Sequence, residues 1–399
     1  MNRNAPVAIT GIGCLSAAGL SLKENLDSIF RGKRNTAPPR RFSSSHPDSY
    51  PVFEIIEETF PATRPDDGDL PLTCRLGIAS AIEALKDAGL ESQDLQCVKA
   101  GVCIGTTVGS AMNDECFYRD YCNGMHPDMA IIERFLKGNP ASVIAGKFNL
   151  SGPCQTVVNA CSSGTDAIGI GASWIRSGRC DIVIAGGADE LCRVTYNGFI
   201  SLMITDDDPC KPFDRNRKGL NLGEGAAVLI LESESFTRKR HKHPRAFVLG
   251  YGSACDGYHL TAPRPDGKGL KNALSDALAE SGTTAGDIAF INAHGTATRD
   301  NDRTEYKVLS DMLPGVPFFS TKGYTGHTLG AAGAIEAAFT VACLELEKIP
   351  PNAGFSAPDP EIHATPIVDI TGISKKTAIS DSLAFGGHNA ALVIGLERD

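Results

Sequence analysis

Gln155-Thr-Val-Val-Asn-Ala-Cys161-Ser-Ser-Gly-Thr-Asp166 is the stretch on which the fold turns. Thr156, Val157 and Val158 form a β-branched run suited to an extended strand. Ser162, Ser163 and Gly164 follow at once as a helix start. A strand that breaks directly into a helix is the joint of an α/β fold. Its corner residue, Cys161, stands at the positive end of the helix dipole, where first-turn N–H groups lack partners. Both effects favour the thiolate, which is the nucleophilic form. Burial as an inert thiol is the usual fate of a cysteine, and this chain has thirteen. What sets Cys161 apart lies downstream.

Outward from that joint, short apolar strands alternate with longer helical patterns. Strands are expected at 7–10, 101–105, 156–160, 181–185 and 226–231, then at 246–250, 288–292, 318–321 and 390–396. Helices are expected at 22–31, 74–88, 165–176, 269–281, 303–313 and 330–347. Two pairs of segments suggest an internal duplication. Val7-Ala-Ile-Thr-Gly-Ile-Gly13 resembles Ala246-Phe-Val-Leu-Gly-Tyr-Gly252, and Gly223–Glu232 resembles Gly386–Glu397. The first pair would open each half and the second would close it. The halves are then 1–245, carrying Cys161, and 246–399. Gly11 and Gly13 lack the third glycine and the ribose-binding acid of a dinucleotide site, so a packing role is expected of them.

At 399 residues the chain exceeds one ordinary core, which agrees with two units. It is 42% hydrophobic and 21% charged, and no window is apolar enough to cross a membrane. The N-terminus runs directly into a strand without a signal-peptide pattern. The cysteines are odd in number and form no C-x-x-C pair, so reduced thiols in the cytoplasm are expected, with no zinc site. A net charge of −9 argues against nucleic acid as a partner. Local basic stretches occur at Lys211-Pro-Phe-Asp-Arg215-Asn-Arg217-Lys218 and at Arg238–Arg245.

Two histidine motifs supply the missing chemistry. Asn292-Ala-His294-Gly-Thr-Ala-Thr298 ends one strand, and Ser320-Thr-Lys322-Gly-Tyr-Thr-Gly-His327 ends the next. Strand-end loops are where ligands collect in α/β sheets. One histidine would serve a cysteine hydrolase as base. Two that both donate hydrogen bonds suit a carbonyl oxygen on which charge develops, as in an enolate. That points toward carbon–carbon bond chemistry on thioesters, with Lys322 and Glu336 as a supporting pair.

These motifs resemble those of β-ketoacyl-[acyl carrier protein] synthases of the elongating type, in the thiolase superfamily. The likeness takes in Asn159-Ala-Cys-Ser-Ser-Gly164, His294–Thr298, Thr321–His327, Pro212-Phe-Asp, Gly223-Glu-Gly-Ala226, Asp256–Pro263 and Phe385-Gly-Gly-His-Asn389. It implies a five-layered αβαβα fold with two similar halves, and an acyltransferase needing no cofactor or metal. Cys161 would take an acyl chain from an acyl carrier protein. His294 and His327 would assist decarboxylation of malonyl carrier protein, and the carbanion would attack the acyl-cysteine, as in fatty acid elongation. The N–H groups of Cys161 and Phe385 would form the oxyanion hole, with Phe385 also the gate. Thr296 and Thr298 would contact the pantetheine arm, and Lys322 and Glu336 would hold the histidines. A homodimer is implied, with a chain-length-factor heterodimer open. Carrier docking is assigned to Lys211, Arg215, Arg217 and Lys218, with 238–245 second.

Four departures bear on the acyl pocket: a short loop between Phe199 and Pro212, Gly323 in place of serine or alanine, His388 in place of threonine, and Leu220 in place of phenylalanine. They favour a specialised route, such as aryl polyene or polyketide synthesis. An inactive chain-length factor is disfavoured by Cys161, and a coenzyme A thiolase by the context of His294.

Overall fold

The computed structural model describes residues 5–56, 70–108 and 114–397. The first four residues, the start of the segment expected to carry no signal-peptide pattern, lie outside them. The strands are β1 (Val7–Ser16), β2 (Ala100–Gly105), β3 (Cys154–Val157), β4 (Ile182–Asp189), β5 (Gly225–Glu232), β6 (Ala246–Cys255), β7 (Ile288–Asn292), β8 (Phe318–Phe319), β9 (Lys348–Ile349), β10 (Thr371–Gly372), β11 (Thr377–Leu383) and β12 (His388–Gly395). β9 and β10 form a small ribbon; the other ten run in the order β3-β2-β4-β5-β1-β6-β12-β11-β7-β8.

That order is one pattern written twice. From the outer edge inward each half places its third strand, second, fourth, fifth and first. The directions repeat as well. β3, β2 and β4 are parallel, then β5 and β1 antiparallel; β8, β7 and β11 are parallel, then β12 and β6 antiparallel. The halves meet through a short antiparallel pairing of Val7–Ile9 with Ala246–Val248. Both segment pairs in which the sequence suggested duplication fall on equivalent strands, β1 with β6 and β5 with β12.

Burial explains the layers. Helices Ser163–Arg176 and Ala332–Glu345 each pack on strands from both halves, and their apolar residues make one central core. The second of these helices is buried along nearly its whole length, as a helix apolar all round must be. Two further cores lie outside, one under helix Leu72–Ala88 and one under helices Lys268–Ser281 and Arg299–Met312. Helix, sheet, paired helices, sheet and helix give the thiolase-like αβαβα arrangement. Gly11 and Gly13 have the expected packing role: a Cβ on either would sit 2.1 or 2.0 Å from a carbonyl oxygen of helix Leu72–Ala88.

The expected elements are present, most with longer strands. The sequence reading missed β11, the ribbon and several helices, among them Pro140–Lys147 and Arg193–Ser201. No helix among the described residues is long and apolar enough to cross a membrane. All thirteen cysteines are free thiols.

Candidate active site

Cys161 sits where β3 ends, in a one-turn 3-10 segment (Ala160–Ser162) that leads into helix Ser163–Arg176. The turn is sharp enough to hold Ala160 at φ 49°, a left-handed conformation that costs a non-glycine residue on the order of 1 kcal/mol. Asp166 pays for it by binding the corner together: it accepts from Asn159 Nδ2 (2.9 Å), Ser162 Oγ (2.9 Å) and Tyr251 Oη (2.7 Å).

The second half brings the histidines to the same point. His294 follows β7 and His327 follows β8. His327 Nε2 lies 3.0 Å from Cys161 Sγ, and the two imidazoles stand edge to face with centroids 5.2 Å apart. The partners of the other ring nitrogens assign the tautomers. Leu329 N–H donates to His327 Nδ1 at 3.3 Å, and Lys322 Nζ donates to His294 Nδ1 at 3.0 Å. An accepting Nδ1 on a neutral ring leaves the hydrogen on Nε2. Both rings are neutral: burial drives each well below the ordinary histidine range, with the Lys322 charge adding to it. Two Nε2–H donors therefore stand beside one thiol.

Lys322 organises this. Its ammonium also donates to the His294 carbonyl at 2.6 Å and forms a buried ion pair with Glu336. Burial pushes the Glu336 carboxyl up to about 7, against the pull of Lys322. Beneath His294, Asp381 accepts from its N–H at 3.1 Å and Glu305 accepts from Gly295 N–H at 2.8 Å. Burial pushes both carboxyls up, Asp381 to about 7, and the Asp381 charge drives Glu305 further.

Cys161 itself departs from expectation. Its thiol is pushed up to about 11 because burial outweighs the pull of Lys322 and of the Phe385 N–H, which points at Sγ. A helix N-terminus lowers a thiol's pKa where solvent also reaches it; at 5% exposure desolvation dominates. The sulfur and the imidazole nitrogens lie within 4.8 Å of one another, a donor set of the kind that binds metals. The Lys322 ammonium against His294 opposes a cation there.

A cavity of about 380 Å³ opens onto Cys161, His294 and His327. Thr296 and Thr298 stand on its wall with their hydroxyls 2.8 Å apart. Phe385 stacks on Phe199, with ring centroids 5.6 Å apart, and Leu220 lines the same space. Gly323 is a glycine for lack of room, since a Cβ would lie 2.6 Å from that of Ala353. His388 lies opposite Cys255 in the β12–β6 pairing, beside the Phe385–Gly387 turn.

One assignment is corrected. Arg217 is not a docking residue: it is 2% exposed and pairs with Asp302 (3.5 Å) and Asp359 (2.6 Å). Asp302 also accepts from the N–H groups of Phe213 (2.7 Å) and Ala297 (3.2 Å), so Arg217 braces the His294–Thr298 loop from behind. Lys211 and Lys218 are each paired with an aspartate of the Asp206–Asp208 run, which leaves Arg215 the exposed cation of that segment without an ion pair among the described residues. In the second basic stretch Arg240 pairs with Glu232, and Arg245 with Asp87 and Glu345. Sequence reasoning also missed Asp381 and Glu305, which lie in no motif with a chemical signature, and the bracing role of Asp166, which closes the cysteine stretch itself.

Comparison with known proteins places this site in a family. Residues 4–236 match the "Beta-ketoacyl synthase, N-terminal domain" and residues 245–356 the "Beta-ketoacyl synthase, C-terminal domain". The chain is 33% identical to the tetracenomycin polyketide synthase ketoacyl synthase alpha subunit of Streptomyces glaucescens, covering 100% of this chain and 99% of that one. It is 31% identical to the 3-oxoacyl-[acyl-carrier-protein] synthase 2 of a Synechocystis species, over 97% of each. Among solved structures, the ishigamide ketosynthase/chain length factor superposes with a TM-score of 0.92 at 30% identity, over 98% of this chain and 99% of that one. The fold and the site define an acyl-transferring condensing enzyme of the thiolase superfamily. The chain belongs to the β-ketoacyl synthases.

Proposed function

We propose that this protein elongates a carrier-bound acyl chain by two carbons through decarboxylative Claisen condensation with malonyl carrier protein. The observation that carries the reading is the pair of Nε2–H donors beside the Cys161 thiol. Cys161 Sγ attacks the acyl thioester and releases the carrier thiol. The malonyl thioester then takes its place with its carbonyl oxygen between His294 and His327. Loss of CO2 leaves an enolate that the two donors stabilise, and neutral rings suit this because no proton need be given up. The enolate carbon attacks the acyl carbonyl, and the tetrahedral oxygen is held by the N–H groups of Cys161 and Phe385. Collapse expels the Cys161 thiolate and frees the β-ketoacyl carrier. Thr296 and Thr298 line the pantetheine path, Lys322 and Glu336 fix the histidines, and Phe385 gates the sulfur. On this reading 1–245 supplies the nucleophile and 246–399 the decarboxylating pair.

A specialised pathway is favoured over housekeeping fatty acid elongation. Support comes from the short loop after Phe199, from the tetracenomycin relative and from the ishigamide neighbour, itself a ketosynthase with a chain length factor. The same neighbour supports pairing with a related subunit, for which a second copy of this chain is the alternative. Intact-mass measurement of the acyl-enzyme formed from a panel of acyl carrier proteins tests the reading. Acylation at Cys161 followed by condensation is expected. Absence of both with every primer would overturn it.

A further inference from the structure

The proposed chemistry threads a pantetheine thioester from the surface to Cys161, and the rim of the cavity holds a cation that makes no ion pair among the described residues. Lys218 and Arg299 are the two cationic side chains that line the cavity. Lys218 reaches Asp207 at 2.7 Å and lies 4.0 Å from Asp206. Arg299 is exposed, and among the described residues its guanidinium makes no ion pair and no hydrogen bond. Of the nearby acids, Asp300 lines the same cavity but makes its ion pair, at 3.8 Å, with Arg303, and Asp302 is buried against Arg217.

Position gives this free cation a meaning. Arg299 opens helix Arg299–Met312, directly after the loop that carries the two threonines. Its chain neighbours therefore step outward from the reacting sulfur: His294 beside it, Thr296 and Thr298 on the wall, Arg299 at the opening. A phosphopantetheine arm with its thioester at Cys161 would lay its amides along that wall and end, at the rim, in its 4′-phosphate. A guanidinium presents a planar fork that matches two phosphate oxygens, and the adjoining first-turn N–H groups of the helix add positive potential. We propose that Arg299 is a specificity-determining residue that binds the 4′-phosphate of the phosphopantetheine arm, so that the enzyme reads the arm's phosphate as well as the carrier's surface. This rests on the carrier-dependent reading above.

The test compares acylation rates of Cys161, by intact mass, with short acyl thioesters of pantetheine, of 4′-phosphopantetheine and of coenzyme A. A charge-assisted contact of this kind corresponds to roughly a tenfold preference for phosphopantetheine over pantetheine. In Arg299→Gln that ratio should fall to about one, and Arg299→Lys should keep part of it. A ratio of one in the wild type, or a ratio unaltered in Arg299→Gln, would overturn the proposal. So would a preference shown by the coenzyme A thioester alone, which would assign the contact to the nucleotide phosphates. If none of the three small thioesters and no acyl carrier protein acylates Cys161, the condensing reading itself fails. Acylation by the carrier protein with no effect of the arm's phosphate defeats the phosphate site alone.

Discussion

Replacing Lys322 with methionine separates two jobs that one ammonium performs. The Nζ holds the His294 tautomer through Nδ1 at 3.0 Å and also balances the buried Glu336 carboxylate. Removing one partner of a buried pair costs about 3–5 kcal/mol, because the other charge stays desolvated. The sign with pH follows from Glu336. Its folded pKa of about 7 lies above the ordinary carboxylate value even with Lys322 present. A raised carboxyl contributes its stability at low pH and loses it as pH climbs through the folded pKa, and without Lys322 that loss is larger. Lys322→Met should therefore melt furthest below wild type at pH 8 and approach it at pH 6. Lys322→Met/Glu336→Gln removes the stranded charge and should recover most of the Tm at pH 8. Catalysis should not recover with it. Losing the donor that fixes His294 should cost about 10²–10³-fold in decarboxylation of malonyl carrier protein, the range for a lost donor to a developing oxyanion. Acylation of Cys161 should fall less, since Lys322 reaches the thiol only through its field. Melting curves at both pH values, release of CO2 and intact mass supply the readouts. If decarboxylation returned with the Tm in the double variant, Lys322 would be a charge balance and not the positioning residue of His294.

The remaining predictions concern the thiol, the loops and the central helices. Alkylation of Cys161 by iodoacetamide should rise close to tenfold per pH unit from 7 to 9, because the thiol titrates at about 11; a plateau below pH 8 would mean that the resting sulfur is already a thiolate. Arg217→Ala should lower stability by about 3–5 kcal/mol through the stranded Asp302. Arg215→Glu should leave the Tm alone and raise the KM for carrier protein in a salt-dependent way, and an unchanged KM would place docking elsewhere. Gly164→Ala would put a Cβ 2.8 Å from Ala334 N and 2.9 Å from Gly330 O, so a loss of about 1–3 kcal/mol and a slower condensation are expected. A variant as active and stable as wild type would show that the two central helices can separate without moving Cys161 from His327.

Much of this was legible in the sequence because it rests on local signals. Cys161, His294 and His327 each lie in a loop that follows a strand, among small residues, and the two repeated segments fall on the opening and closing strands of each half. What stayed hidden is polar and buried at once. β11 is Thr-Ala-Ile-Ser-Asp-Ser-Leu, with Ser380, Asp381 and Ser382 all buried, so it lacks the hydrophobic period that marks a strand. Its polarity belongs to the site, because Asp381 takes the His294 N–H. Arg217 misled for the converse reason. In a basic run an arginine reads as surface, and only the fold reveals the two aspartates that meet it from residues 302 and 359.

The repeat also accounts for where the chemistry falls. Cys161 follows the third strand of the first half and His327 the third strand of the second, so the thiol and one of its imidazole neighbours occupy equivalent corners of a duplicated unit. Each corner leads into one of the two central helices, and those helices meet where Gly164 admits Ala334. The equivalence extends to the supports. Asp189, at the end of the fourth strand of the first half, accepts from Gly330 N–H just beyond His327 at 2.7 Å; Asp381, in the fourth strand of the second, accepts from His294 N–H at 3.1 Å. Each half thus holds a histidine loop through a buried carboxylate on its fourth strand, Asp189 reaching into the other half and Asp381 staying within its own. A site built this way needs both halves in register, because no single half contains the sulfur and its donors together.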